Sequence, residues 1–382
     1  MRDVVIVGGA RTAIGDFNGA LKSKTAVELG VIALKAAMEK AGVTPYQAGN
    51  KGNPARQVAL GAGCPIESIA VTINQQCPSS MRAAEILCQE IMLDKIHIGA
   101  IVGIESMSNV PYLLMKARSG YRMGPGTLQD SLFQDGLIDA FYNYHGGITA
   151  ENLAEQYSIS REEQDKFALE GHRRAIKAIK ENRFKDEIVP VEIKSKGKVT
   201  IFDRDEHPRE DTTMEKLASL KPAFKEDGTV TPGNASGMND GAAALILMGA
   251  DKAAELGHKP LARIISSASA SVDPKVMGIG VVPAVNKALK YANLTLDDID
   301  LWEINEAFAA QAIACNRELK LDWEKVNVNG SGVSLGHPVG STGARIMLMV
   351  MNELRRRGGR YGCATLCAGG GPGMATIIEI LN

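Results

Sequence analysis

The pattern that most limits how this chain can fold is a repeat. VTINQQCPSSMRAAEILCQEIM starts at Val71, and VNVNGSGVSLGHPVGSTGARIMLMVMNEL starts at Val326. Each opens on alternating β-formers (Val71 and Ile73; Val326 and Val328), passes an Asn and a turn rich in Pro, Gly and Ser, and enters a long apolar-faced helix. A second strand follows each helix, GAIVGIESM in one copy and CATLCAGGG in the other, and a further helical run lies upstream of each, AVELGVIALKAAMEKAGVTP and PAVNKALKYANLTLDDID. One α/β unit is used twice. Alternating strands and helices imply right-handed crossovers and sheets covered on both faces, so the expected fold class is α/β, two sheets back to back in a five-layer α/β/α/β/α body.

Between the copies the character changes. Residues 110–238 hold charged stretches such as ISREEQDKFALEGHRRAIKAIKENRFKDE, in which Ser160 and Glu163 make a capping-box pattern. This segment reads as an inserted lobe, with residues 1–109 and 239–259 forming one half and 260–382 the other. A net charge of −1 and 45% apolar residues suit a globular protein with no nucleic-acid footprint. No apolar run approaches the roughly 20 residues of a membrane span, and the apolar run at the N-terminus is too short for a signal-peptide core. Six cysteines without a C-x-x-C pair, and six scattered histidines, argue for thiols in a reducing, cytoplasmic setting and against a metal site.

The glycine-rich stretch CATLCAGGGPGM, Cys363 to Met374, fits either a phosphate cradle or a loop bent around a reacting sulfur. A dinucleotide site needs a further βαβ unit and an acidic residue about 20 positions on. Only ATIIEILN follows, and it suits a closing strand. Cys77 stands directly before Pro78 and a helix. Proline favours the first helical position, which makes Cys77 the expected N-cap, where backbone N–H groups favour a thiolate; a buried structural cysteine is the plain alternative. Cys88 and Cys315 read as core. His337, in LGHPVG, holds in the second copy the place of the Cys77 turn, where it either reaches that sulfur or merely caps its own turn. Cys367 falls at the end of the last repeat's strand, where loops carry function. Gly332, Ser334 and Gly336 match the G-x-S-x-G elbow of serine hydrolases, but no acid-then-histidine order follows Ser334.

Read jointly, ARTAIG, NPARQ, the Cys77 turn, ESMSNVPY, GITAEN, DEHPR, GNASGMNDGAAAL, EINEAFAAQ, VNVNGSGVSLGHPVGSTGAR and ATLCAGGGPG cover almost the whole chain. In them the sequence resembles the thiolases, the acetyl-CoA C-acyltransferases, and the run from ESMSNVPYLL to ITAEN looks most like acetoacetyl-CoA thiolases. The resemblance implies a duplicated thiolase fold whose inserted loop domain binds coenzyme A. It implies Claisen condensation of two acetyl-CoA to acetoacetyl-CoA and CoA, and the reverse thiolysis. Acyl-CoA and CoA are then the partners, CoA being substrate or product and not a cofactor, in a homodimer or homotetramer. By the same resemblance Cys77 is the nucleophile, His337 its activator, Cys367 the acid/base, and Asn305 the holder of an oxyanion-hole water. The N–H groups of Cys77 and Gly369 make a second oxyanion site. Leu137, His145, Arg209, Phe224 and Ser236 line the coenzyme path, with Met277 and Phe308 near the acyl end.

Three departures from the family pattern stand out. Pro78 follows the cysteine where Gly or Ser is usual. Gly146 stands where acetoacetyl-CoA thiolases have methionine beside the acyl site, which predicts a wider pocket. TPYQAGNKGNPARQ is shorter than the pattern and lacks an early strand, which predicts a smaller or rearranged N-terminal sheet. Rival expectations are a 3-ketoacyl-CoA thiolase for longer chains, a β-ketoacyl synthase of the same fold, and a degenerate acyl-CoA-binding scaffold. Cys367 standing where the synthase has histidine argues against the second, and the intact set Cys77, Asn305, His337 and Cys367 argues against the third.

Overall fold

The computed structural model describes residues 2–38 and 51–381. Its strands form two arms. The N-terminal arm sets β1 (Val4–Thr12) and β2 (Ile98–Ser106) antiparallel on either side of β3 (Asn239–Gly249), with Val5 opposite Met248 and Ile101 opposite Leu245. In the C-terminal arm β4 (Ala262–Ser271) and β6 (Tyr361–Cys367) flank β7 (Pro372–Ile380) in the same way. That arm has one more strand, β5 (Leu301–Ile304), parallel to β6. The arms are hydrogen-bonded into one curled sheet where Val5 and Ile6 meet Arg263 and Ala262.

Helices complete the layers. α1 (Ala26–Met38) covers the outside of the N-terminal arm, while α2 (Ser79–Met92) lies between the arms. α3 (Arg161–Lys180) belongs to the inserted lobe, α4 (Val281–Ala292) covers the outside of the C-terminal arm, and α5 (Val339–Arg357) lies beside α2. The expected α/β/α/β/α order is therefore present. Met81, Ala84, Ile91, Ile101, Leu245, Ile346, Leu348, Val350 and Ile378 fill the space around the two central helices. Each large side chain among them contributes roughly 1.5–3 kcal/mol by leaving water.

α2 and α5 cross closely because one residue has no side chain. A Cβ on Gly343 would stand 2.7 Å from the Met81 nitrogen and 2.9 Å from Ser80 Oγ, and that hydroxyl accepts the Ala344 N–H at 2.9 Å. The crossing sets the beginnings of both helices side by side, and with them the two turns of the repeat.

The lobe is tied to β1 through buried charge. Arg11 donates to Glu187 Oε1 at 2.9 Å and, in a fork, to both Asp205 oxygens at 2.7 and 2.9 Å. Ser160 caps α3 as expected, its Oγ accepting the Glu163 N–H at 3.1 Å. Glu163 itself turns outward to Arg317, so only half of the capping box forms.

Two expected strands are not strands. Residues 69–75 carry no ladder and Val71 is exposed; Asn53 Nδ2 takes the Ala70 carbonyl instead, while Arg56 holds the carbonyls of Ile66 and Ser68 just upstream. Around Val326 only one isolated bridge, to Trp302, survives. There the Asn327 carboxamide pairs with both the N–H and the carbonyl of Ile304 at 2.8 Å, doing with a side chain what a ladder does with backbone. β5 has no counterpart among the described residues of the N-terminal arm, which is smaller to that extent. The first half of the shortened segment TPYQAGNKGNPARQ, residues 44–50, lies outside the described residues.

Candidate active site

Cys77 and His337 meet. The His337 Nε2 lies 3.3 Å from Cys77 Sγ, although the residues are 260 positions apart. The helix after Cys77 starts one residue later than expected, at Ser79, with Pro78 as its cap residue. Cys77 therefore sits on an elbow outside the helix. Gln76 before it adopts φ 54°, a left-handed conformation held by Gln76 N–H on Asn74 Oδ1 (2.9 Å) and Ser79 N–H on Gln76 O (3.0 Å).

The imidazole's tautomer follows from its neighbours. Thr342 Oγ1 donates its proton to Pro338 O at 2.9 Å and so can only accept from His337 Nδ1 at 2.7 Å. Nδ1 carries the hydrogen, and Nε2 presents a lone pair to the thiol. Burial and the positive charge of Arg345 push His337 down to about 3. Burial pushes the Cys77 thiol up to about 12, against the opposing pull of its own N–H and that of Gly369. The resting pair is thus neutral. The thiolate expected from a helix mouth is not the resting state, because desolvation outweighs the two N–H groups once Cys77 stands outside the helix.

Two backbone donors, the amides of Cys77 and Gly369, converge on the sulfur. Glycine at 369 leaves room for the Gln76 carboxamide, whose Oε1 a Cβ there would displace. It lies in the tight connection between β6 and β7, where Ala368 N–H bonds Pro372 O at 2.7 Å. Cys367, the last residue of β6, is fully buried, and burial together with the neighbouring Cys77 raises its thiol well above the usual range. Asn305 directs Nδ2 at His337 Nε2 from 3.4 Å, and its Oδ1 is buried without a partner, as fits a residue that would hold a water.

Most of the expected pocket residues gather around this centre. Leu137 packs with Met107, Leu132 and Val339 in the cluster that also touches Cys77. Met277 and Phe308 belong to the cluster containing Cys367. His145 stacks on Phe224 with ring centroids 4.4 Å apart, and Phe224 meets Phe308 edge-on at 6.1 Å. Ser236 donates its N–H to Ala307 O at 2.9 Å, placing it beside Phe308. Arg209 stands apart: it is exposed, its N–H reaches His172 Nδ1 at 3.2 Å, and with His172, Arg173, Lys177 and Lys180 it lines a basic cavity of about 420 Å³ against α3. Ser334 of the G-x-S-x-G match is fully buried and exchanges hydrogen bonds with Ser331.

Sequence reasoning missed three residues here. Thr342 carries a signal in hindsight, a hydroxyl in the first turns of the helix that follows His337. Asn239 accepts the His337 N–H on Oδ1 at 2.8 Å. Glu105 accepts the N–H of Gly340, at the start of α5, at 3.1 Å, and burial pushes its carboxyl up to about 8 against that bond and the one from Ser106. Raised above its unfolded value of about 4.5, Glu105 keeps its proton in the fold where the unfolded chain has lost it. Its contribution to stability is complete below about pH 4.5 and declines as pH rises through about 8. Glu105→Gln should remove that decline, so the difference in denaturant midpoint between variant and wild type should grow in the variant's favour from pH 5 to about 8; a constant difference contradicts a buried protonated carboxyl.

A thiol on an acceptor imidazole, a second thiol beside it and paired backbone donors form an arrangement chemically capable of acyl transfer through sulfur. The family description "Thiolase, N-terminal domain" matches residues 4–251 and "Thiolase, C-terminal domain" matches residues 258–380. Acetyl-CoA acetyltransferase of Syntrophomonas wolfei is 49% identical over 397 residues, and that of Escherichia coli K12 is 47% identical over 394, each alignment covering 100% of both chains. The solved structure of the Syntrophomonas wolfei acetyl-CoA acetyltransferase superposes with a TM-score of 0.98 over 100% of both chains at 47% identity. The Bacillus anthracis acetyl-CoA acetyltransferase gives 0.97 over 100% of this chain and 99% of that one at 49% identity. The chain belongs to the thiolase family and is a thiolase-fold enzyme.

Proposed function

We propose that this enzyme condenses two acetyl-CoA to acetoacetyl-CoA and CoA, and runs the reverse thiolysis, through an acyl group carried on Cys77. The observation that carries the reading is the 3.3 Å approach of Cys77 Sγ to an imidazole nitrogen kept as an acceptor by Thr342. Full-length relatives named acetyl-CoA acetyltransferases support the reaction. In the first half His337 Nε2 takes the thiol proton, the sulfur attacks the acetyl carbonyl, and the N–H groups of Cys77 and Gly369 receive the charge on oxygen. A thiol held protonated by burial gives up its proton to a strong adjacent base, and the departing CoA thiolate is one; Cys367 protonates it.

The second half returns every proton. Cys367, now a thiolate, takes a hydrogen from the α-carbon of the second acetyl-CoA. The carbanion attacks the acetyl group on Cys77, while His337 and the water held by Asn305 stabilise the thioester enolate. Cys77 leaves as thiolate and recovers its proton from the imidazolium. No redox step or further cofactor enters. His145, Phe224, Leu137 and Ser236 wall the pantetheine arm, Met277 and Phe308 the acyl end, and Arg209, with the neighbouring lysines, suits the coenzyme phosphates. A cytoplasmic homodimer or homotetramer fits six cysteines outside any disulfide and the exposed Leu114, Met115 and Met123 of the lobe. Incubation with acetyl-CoA alone should acetylate the peptide containing residue 77; acetylation of a different cysteine refutes the assignment.

One observation favours a broader acyl range. A Cβ on Gly146 would meet nothing closer than Leu137 O at 3.5 Å, so a side chain could begin there without a clash, and its absence leaves room where acetoacetyl-CoA thiolases have methionine. Thiolysis should extend to 3-ketoacyl chains beyond four carbons, and Gly146→Met should cut the rate on six-carbon substrates about tenfold or more while sparing acetoacetyl-CoA. A steep wild-type decline past four carbons would remove this reading.

A further inference from the structure

We propose that Asn239, oriented by Asp16, is a positioning residue for the catalytic imidazole: it holds the Gly336–His337 peptide and so sets the distance between Nε2 and the Cys77 sulfur. The proposal rests on the thiolase reading for the role of His337, but the contacts are independent of it. Asn239 is fully buried at the start of β3. Its Nδ2 donates to Gly15 O and to Asp16 Oδ1, both at 3.2 Å, and its Oδ1 accepts the His337 N–H at 2.8 Å.

The direction of this amide is forced. Gly15 O and the Asp16 carboxylate are acceptors only, so the NH2 end must face them and the oxygen must face His337. Reversed, it would set two donors against each other at the His337 peptide, turn its oxygen on Gly15 O and the Asp16 carboxylate, and lose both bonds it now donates to them. Asp16 is kept charged: burial opposes this, but the bond from His207 Nδ1 at 2.5 Å and the charges of His207 and Arg209 hold its carboxyl below the usual range. The polarity thus runs from His207 through Asp16 and Asn239 to His337.

Packing supplies the second constraint. Gly336 adopts φ 96°, and a Cβ there would lie 2.6 Å from the Asn239 carboxamide. The carboxamide fills the space that the missing side chain leaves, so the peptide it bonds cannot shift toward it. On the other side of the imidazole, Thr342 fixes Nδ1. Asn239 fixes where the ring stands, and Thr342 which nitrogen faces the sulfur.

A reciprocal exchange tests this. Asn239→Asp keeps an acceptor for His337 N–H but turns a second carboxylate toward Asp16 and Gly15 O. Asp16→Asn combined with Asn239→Asp restores one donor facing one acceptor. Steady-state thiolysis of acetoacetyl-CoA should show kcat lowered about 10- to 100-fold in Asn239→Asp and in Asn239→Ala, with KM within about twofold, as expected when a reacting group is displaced by a fraction of an ångström. Inactivation of the free protein by iodoacetamide should slow in parallel, and this readout needs no turnover. The double variant should recover most of both rates. The proposal is overturned if Asn239→Ala folds and keeps its rates, if losses only follow the unfolded fraction in a melting experiment, or if the double variant is no faster than Asn239→Asp. Should Asn239→Ala fail to fold, the exchange alone decides. Parallel recovery of alkylation without any thiolase activity would reject the thiolase reading while leaving the positioning role standing.

Discussion

Cys77→Ser leaves no detectable acyl-enzyme and turns over at least about a thousandfold more slowly than wild type. The reason lies in the acceptor's strength. Burial takes His337 down to about 3, so its Nε2 is a weak base at rest and draws a proton from the Cys77 thiol only as the sulfur commits to the carbonyl. A serine hydroxyl is far less acidic than a thiol and has no polarizable sulfur to begin the attack, while the same burial disfavours its alkoxide. The backbone donors at 77 and 369 are untouched by the substitution, so substrate binding should survive, with KM changed much less than kcat. Mass spectrometry after incubation with acetyl-CoA and steady-state thiolysis measure the two parts. Turnover within tenfold of wild type, or retained acylation at the same peptide, would show that another group carries the acyl chain.

Gly343→Val should destabilise the whole molecule by about 3 kcal/mol or more. Unlike a contact with the tip of a flexible side chain, the clash is with backbone: the Met81 nitrogen lies 2.7 Å from the position of the first added carbon. Relief requires α2 and α5 to move apart, which opens the core around Met81 and Ile346 and breaks the Ala344 to Ser80 bond. Activity should fall in the surviving folded fraction too, since the same separation draws Cys77 from His337. A denaturant midpoint unchanged from wild type would mean that the helices yield more easily than packing at this density allows.

The fold was legible in the repeat because a strand followed by an apolar-faced helix leaves few ways to bury both copies. What it did not disclose were the two short edge segments. Val71 and Ile73 alternate like a strand, but alternation records a preference and not a partner; no ladder forms, and the neighbouring Ala70 carbonyl goes to the Asn53 side chain. Near Val326, Asn327 replaces a ladder with its own carboxamide. In the site, Cys77 and His337 could be matched because each occupies the turn of its copy. Their protonation could not, because it depends on burial from both arms at once. Asn239 and Glu105 act through hydrogen bonds to partners 98 and 235 positions away, which no local pattern marks; of the three missed residues only Thr342, five positions past His337, leaves a local trace.

The crossing of α2 and α5 also governs when this protein comes into being as a catalyst. Synthesis at about 5–20 residues per second delivers the thiol well before the imidazole. For that interval the inner face of α2, with Met81, Ala84 and Ile91, has none of the cover that α5 later gives. A nascent chain halted before residue 326 would expose an apolar helix and an unassisted cysteine, a natural client for a holding chaperone and a poor enzyme. Joining His337 to Cys77 across the duplication ties the assembly of the site to the completion of the core.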